Sequence, residues 1–343
     1  MNTFVRGSMT KHLGTCMLLA TLLFGSVLGH ADVVLDWNAI AVDTEIQNGA
    51  NPFAQARYMA IVQLAVFEAV NSITGNYKPY LGTIVAPAGA SPDAAAAQAA
   101  HDVLVNYFHN SQTTLDNQLA ATLALIPNGQ AKTDGITVGQ TAAAAMIALR
   151  SNDGSAPPKF YTPGPAVPGA WQATPSCPVI KGVAVGAFFH WQNVTPFGIP
   201  DVHAYLLSPP PELTSNLYAK TYNEVMEVGS INSTDRPADR ANVAIFYAAS
   251  SPTYVFNQAA RQVSQERYHS LSENVRALAL VNMAISDSLV ATFYNKYQYV
   301  FWRPETAIHG GDNDGNPKTV GDPTWAPFIV TPCFPSYPSA HGS

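Results

Sequence analysis

The chain has 343 residues, with 17 lysines and arginines against 23 acidic residues and a formal net charge of −6. That balance offers no basic patch for nucleic acid; an acidic protein with a local cationic pocket suits a small anion better than a polyanion. Hydrophobic residues make up 47% and charged residues 12%, which excludes a disordered chain and leaves material for one large or two small globular domains.

Residues 1–31 read as a secretory signal peptide. Arg6 and Lys11 form a basic part, residues 13–28 an apolar part, and Gly29-His30-Ala31 a small-residue cleavage site. The apolar run of ~16 residues is shorter than the roughly 20 a membrane-spanning helix needs. No stable membrane span is therefore expected, and the protein is expected to be secreted or periplasmic.

Beyond that segment the pattern is helical, and the fold class predicted is an all-α bundle, with room for short strands in its loop region. Residues 52–73 are apolar on nearly every face and predict a buried helix, in which Glu68 must find a partner. Ser91-Pro92-Asp93 starts a second, alanine-rich helix, and helices over 113–125 and 130–150 flank the Pro127-Asn128-Gly129 turn. Residues 151–210 are rich in Pro and Gly and predict a long irregular connection. Helices over 212–228, 235–249 and 253–268 follow. A long one over 271–302 is opened by a Ser270/Glu273 capping box and closed by Pro304. These elements divide into an N-terminal helical region, 32–210, and a C-terminal region, 211–343, that carries the chemistry.

Within the second region, Lys296 and Arg303 stand seven positions apart, and Pro338-Ser339-Ala340-His341 follows. Seven residues are nearly two turns, so on one continuous helix the two cations project from the same face, roughly 10 Å apart along the axis. An arginine fork suits two oxygens of a tetrahedral anion, and a lysine acts as a point charge. Ser339 offers a hydroxyl, the backbone around Ala340 offers N–H donors, and His341 is an acid/base candidate because imidazole titrates near neutral pH. Taken singly, each motif has a plain structural reading: a solvated helix face and a loop tetrapeptide.

Together, the segments at 296–304 and 338–341 resemble the first two motifs of the vanadium-dependent haloperoxidases and of the related type 2 phosphatidic acid phosphatases (PAP2). Ala340 stands where a glycine is more usual. Weaker similarity covers 57–63, 67–71 and 191–197, and favours the secreted bacterial haloperoxidase-like branch. The resemblance implies a helical bundle in which Lys296, Arg303, Ser339 and Ala340 hold vanadate. Lys296 would polarise hydrogen peroxide, His341 would assist proton transfer, and a halide would be oxidised. A second arginine and the histidine that ligates the metal are expected beyond Ser343, so the sequence is expected to be a C-terminally truncated piece, inactive as it stands. The first alternative is an acid phosphatase acting on phosphate esters with His341 as general acid. The second is an inactive helical protein that binds an oxyanion. No oligomeric state is legible.

Several further residues carry expectations. Cys177 and Cys333 allow either a disulfide that tethers the His341 segment or two free buried thiols. The run 312–316 fails the calcium-loop pattern and reads as an acidic turn. Asp287 is expected to pack against a neighbouring helix on the face opposite Lys296. His309 reads as a loop histidine without a role, with lining of the pocket as the alternative, and Phe334 as a pocket wall or a core residue.

Overall fold

The computed structural model describes residues 32–342, so the signal-peptide expectation lies outside the described residues. Those from Asp32 onward form one compact unit, and its architecture is all-α. The helices are α1 (Val33–Gln47), α2 (Pro52–Thr74), α3 (Pro92–Tyr107), α4 (Gln112–Ala124), α5 (Gln130–Arg150), α6 (Asn216–Gly229), α7 (Ala238–Ala249), α8 (Pro252–Arg267), α9 (Leu271–Tyr299) and α10 (Pro304–His309). A two-stranded ribbon, β1 (Val179–Ile180) against β2 (Val183–Ala184), lies in the irregular connection.

Local chemistry sets most helix starts. Asn51 caps α2 through its side-chain oxygen at 3.1 Å from both Phe53 N and Ala54 N. Ser91 caps α3 and Ser270 caps α9, the last in the reciprocal box with Glu273 that the sequence predicts. Helix α1 is one the sequence reading passes over. Its buried residues lie on several faces and leave no amphipathic stripe to recognise.

Small residues let α3 and α5 approach closely. A Cβ added at Gly135 would sit 2.4 Å from Ser91 O, and one at Gly139 would sit 2.6 Å from Ala95 O. The core formed there by α1, α2, α3, α5 and the first half of α9 is dominated by Ala, Val and Leu. By length and composition α9 is long and apolar enough to cross a membrane, and half of its most apolar 18-residue window is buried inside the protein, as in a core helix.

Two buried polar nodes tie the irregular connection to the bundle. Arg57 of α2 donates through Nε to Asp153 Oδ2 at 2.7 Å and through Nη2 to Arg150 O at 2.8 Å. Arg150 in turn holds the carbonyls of Thr195 and Pro196. The hydrogen bonds of Asp287 of α9 go to a loop and not, among the described residues, to a neighbouring helix. Its carboxylate accepts the backbone N–H groups of Phe197, Gly198 and Ile199 at 2.6, 2.6 and 3.0 Å, and so anchors a loop. Glu68 finds its partners in Tyr80 N and Gly82 N.

The long C-terminal helix ends earlier than its sequence suggests. Val300 takes a left-handed conformation, φ 45°, which is costly for a β-branched residue. Two bonds to the irregular connection hold it there: Trp171 N donates to Val300 O at 2.8 Å and Trp302 N to Gly169 O at 2.9 Å. Arg303 is then extended, φ −81° and ψ 154°, and opens α10 with Pro304 at its first turn. Lys296 and Arg303 therefore do not share one helix face.

Candidate active site

Tertiary packing nevertheless brings the two cations together. Lys296 sits in the last turn of α9 with 1% of its surface exposed. Its ammonium donates to three carbonyls of one returning segment: Pro335 O at 2.9 Å, Ser336 O at 2.8 Å and Pro338 O at 2.5 Å. Arg303 donates through Nε to Phe334 O at 2.6 Å. The Phe334 ring lies 5.3 Å from the Lys296 nitrogen and 4.7 Å from the guanidinium carbon of Arg303.

The returning segment is fixed at several points. Cys333 is bonded to Cys177, with Cα atoms 5.2 Å apart. Ala187 N donates to Cys333 O at 2.7 Å, and Ser336 N to Phe301 O at 2.9 Å. Tyr337 Oη donates to Ser208 O at 2.8 Å. Behind Phe334 lies an aromatic wall in which Phe293 meets it at 4.9 Å, and Phe53 and Tyr297 continue the cluster.

The electrostatics of this place are unusual. Among the described residues no ion pair joins Lys296 or Arg303 to a carboxylate. Burial, reinforced by the Arg303 charge, pushes the Lys296 ammonium down to about 6. Burial also lowers Arg303 to about 10. The three carbonyls compensate part of the lysine's desolvation, but Arg303 Nη2 is buried with no hydrogen-bond partner. A buried lysine beside a half-buried arginine with an orphaned donor is costly, and a small anion is the species that removes the cost.

The remaining predicted residues are placed differently. Ser339 is exposed and Ala340 partly buried, directly after the Pro338 carbonyl that holds Lys296. His341 is exposed, and its ring meets Tyr247 of α7 edge-on at 6.2 Å. No hydrogen bond or ring contact among the described residues joins His341 to either cation. His309 ends α10 and meets Trp325 O through Nε2 at 2.7 Å, so it packs outside the cationic pair. In the 312–316 turn, Asp314 accepts from Asn316 N and Thr319 Oγ1, and the described residues contain no grouping suited to a metal ion. The carbonyl cage around Lys296 was not legible in the sequence. Its only trace there is Pro335 and Pro338, whose missing N–H groups leave carbonyls as the polar backbone atoms.

Fold and site thus define an all-α protein in which a buried lysine and a half-buried arginine meet with no carboxylate paired to either among the described residues. Residues 276–343 match the family model of the VCPO second helical-bundle domain. A curated relative, the vanadium chloroperoxidase of Curvularia inaequalis, is 28% identical over a 172-residue alignment that takes in 40% of this chain. The chain spans 28% of the length of that relative. Among solved structures, the first bacterial vanadium-dependent iodoperoxidase aligns with a TM-score of 0.70 at 21% identity, covering 90% of this chain and 77% of that one. A holo-type bacterial vanadium-dependent chloroperoxidase aligns with a TM-score of 0.60 at 17% identity, over 84% of this chain and 73% of that one. The chain is thus similar to the vanadium haloperoxidases over its C-terminal segment and in its fold.

Proposed function

We propose that this chain carries part of the vanadate site of a haloperoxidase that uses hydrogen peroxide to oxidise a halide, exported by its N-terminal segment to the periplasm or medium. The observation that carries this reading is the pair of buried Lys296 and half-buried Arg303, which lacks a counter-charge among the described residues and leaves the buried Arg303 Nη2 without a partner. The donor set fits a tetrahedral oxyanion: a guanidinium edge for its oxygens, an ammonium as a nearby charge, and the hydroxyl and backbone of Ser339 and Ala340 on the adjoining turn.

Vanadate bound here supplies a Lewis acid of fixed oxidation state toward hydrogen peroxide. The chain's own groups do the rest. Lys296 and Arg303 offset negative charge beside the aromatic rings of Phe334 and Phe293, and the deep burial of Lys296 strengthens electrostatic contacts there. Oxidation of one halide by one peroxide to hypohalous acid and water consumes one proton. The exposed imidazole of His341, three positions after the Pro338 carbonyl, is the group we assign to deliver it.

Thermal melting with added orthovanadate tests the reading. Vanadate is expected to raise the melting temperature, and Arg303→Met to remove the shift; a wild-type protein indifferent to vanadate overturns it. Bromide-dependent oxidation of a diketone dye that requires vanadate identifies the peroxidase. Phosphate-ester hydrolysis blocked by vanadate would assign the phosphatase instead.

A further inference from the structure

A second feature adjoins Arg303 on the side of α6 and α7. A cavity of about 280 Å3 opens between these helices and the loop 325–332, and Arg303 and Pro304 form one of its walls. Its other walls are chiefly apolar, with Val225, Val228, Trp325, Phe328 and Ile329 among them. Three charged side chains reach it, Arg303, Arg236 and Glu305, so cations outnumber the single carboxylate.

Arg236 is a built part of this wall. Its Nη1 donates to Val228 O at 2.9 Å and Ser230 O at 2.7 Å, and its guanidinium carbon stands 3.8 Å from the centre of the Phe328 ring. No carboxylate among the described residues pairs with it. An arginine held flat on an aromatic ring at the mouth of an apolar cavity presents a fixed positive edge to whatever enters. The volume of about 280 Å3 lies just below the usual range of about 300–1,000 Å3 for small-molecule pockets, enough for a fused aromatic ring system with one short substituent.

We propose that this cavity binds a small aromatic acid, its ring against Val225, Val228, Trp325 and Phe328 and its acidic group on Arg236. Its role as the organic acceptor of the oxidised halogen rests on the haloperoxidase reading, whereas its binding does not. In that role a ring carbon forms the carbon–halogen bond as the halogen–oxygen bond of hypohalous acid breaks. The hydroxide released takes the proton from the same carbon and leaves as water. Because Arg303 is common to the cavity wall and the oxyanion site, the acceptor sits beside the place where the oxidised halogen arises.

Calorimetric titration of the full chain with 2-naphthoate tests the assignment, with 2-naphthalenemethanol as the neutral analogue. The acid is expected to bind at least tenfold more tightly than the alcohol, and Arg236→Met to abolish that difference. Ala244→Phe fills the cavity from α7, a helix with no buried residue, and is expected to remove binding while leaving the vanadate-induced melting shift intact. Naphthoate that fails to bind, or binds equally well to Ala244→Phe, overturns the proposal. Binding without any response to vanadate would sustain the cavity and defeat the oxyanion reading.

Discussion

Lys296 and Arg303 flank a single aromatic ring, that of Phe334, at 5.3 and 4.7 Å, although a break in the backbone at Val300 separates them. The ring belongs to the same segment whose carbonyls cage the ammonium. Cations and cage are therefore one mechanical unit, and what disturbs the segment at 333–338 disturbs both charges.

Anion binding should take up a proton. Lys296 is lowered to about 6 by burial and by Arg303, so above that pH the free protein has lost the lysine's proton, and an oxyanion alongside restores it. Sulfate has a constant charge near neutrality and isolates the effect. Calorimetry at pH 8 in buffers of differing ionisation enthalpy should show uptake approaching one proton, with affinity falling up to about tenfold per pH unit above 6. Binding without proton uptake would mean that the carbonyl cage already keeps the ammonium charged.

Asp287→Asn should be strongly destabilising despite its near-identical shape. The carboxylate accepts three backbone N–H groups of the loop at 197–199, whereas an amide turns one acceptor into a donor that faces donors. The expected loss is about 2–4 kcal/mol, for a charge-assisted hydrogen bond removed and a buried group left unpaired. Urea denaturation measures it, and a change below about 0.5 kcal/mol would show that the loop does not depend on this anchor.

Glu45 of α1 is fully buried, and both of its carboxylate oxygens lack a partner. Burial raises its pKa well above 4.5, so the folded state retains a proton that the unfolded chain releases. Its effect on stability is nil below about pH 4.5 and becomes a growing penalty as pH rises toward the folded value. Glu45→Gln should consequently match the wild type in acid and exceed it at neutral pH. Melting curves at pH 4 and pH 7.5 decide this, and parallel behaviour at both would contradict it.

Reduction of Cys177–Cys333 should loosen the site as well as the fold. The bond spans 156 positions, and loss of a cross-link closing a loop of that size costs about 2–5 kcal/mol. Cys333 immediately precedes Phe334, so the Cys177→Ser/Cys333→Ser protein should melt lower and show a smaller vanadate shift than the wild type. An unchanged shift at a lowered melting point would separate the cross-link from the site.

How far the sequence could be read varies with the physical origin of each feature. Caps and helix formers act over three or four residues, so the Ser270 box, the Pro92 start and the whole of α5 were legible. The end of α9 was not, because Val300 is turned by hydrogen bonds to Gly169 and Trp171, more than a hundred residues away. For the same reason the sequence points Asp287 to a helix contact, whereas its partners are loop amides. The motif order places His341 beside the cations, and the fold lays its ring against Tyr247.

From the order of residue types alone came the helical class, the two motif segments and the chemistry their side chains can perform, since these depend on local propensity and functional groups. Only the three-dimensional arrangement decided that the cations meet around Phe334 through a broken helix and that three carbonyls take hold of the lysine. It also decided that the arginine keeps one donor unmatched. Such contacts join residues distant in the chain, and their energies exist only once packing has excluded water from between them.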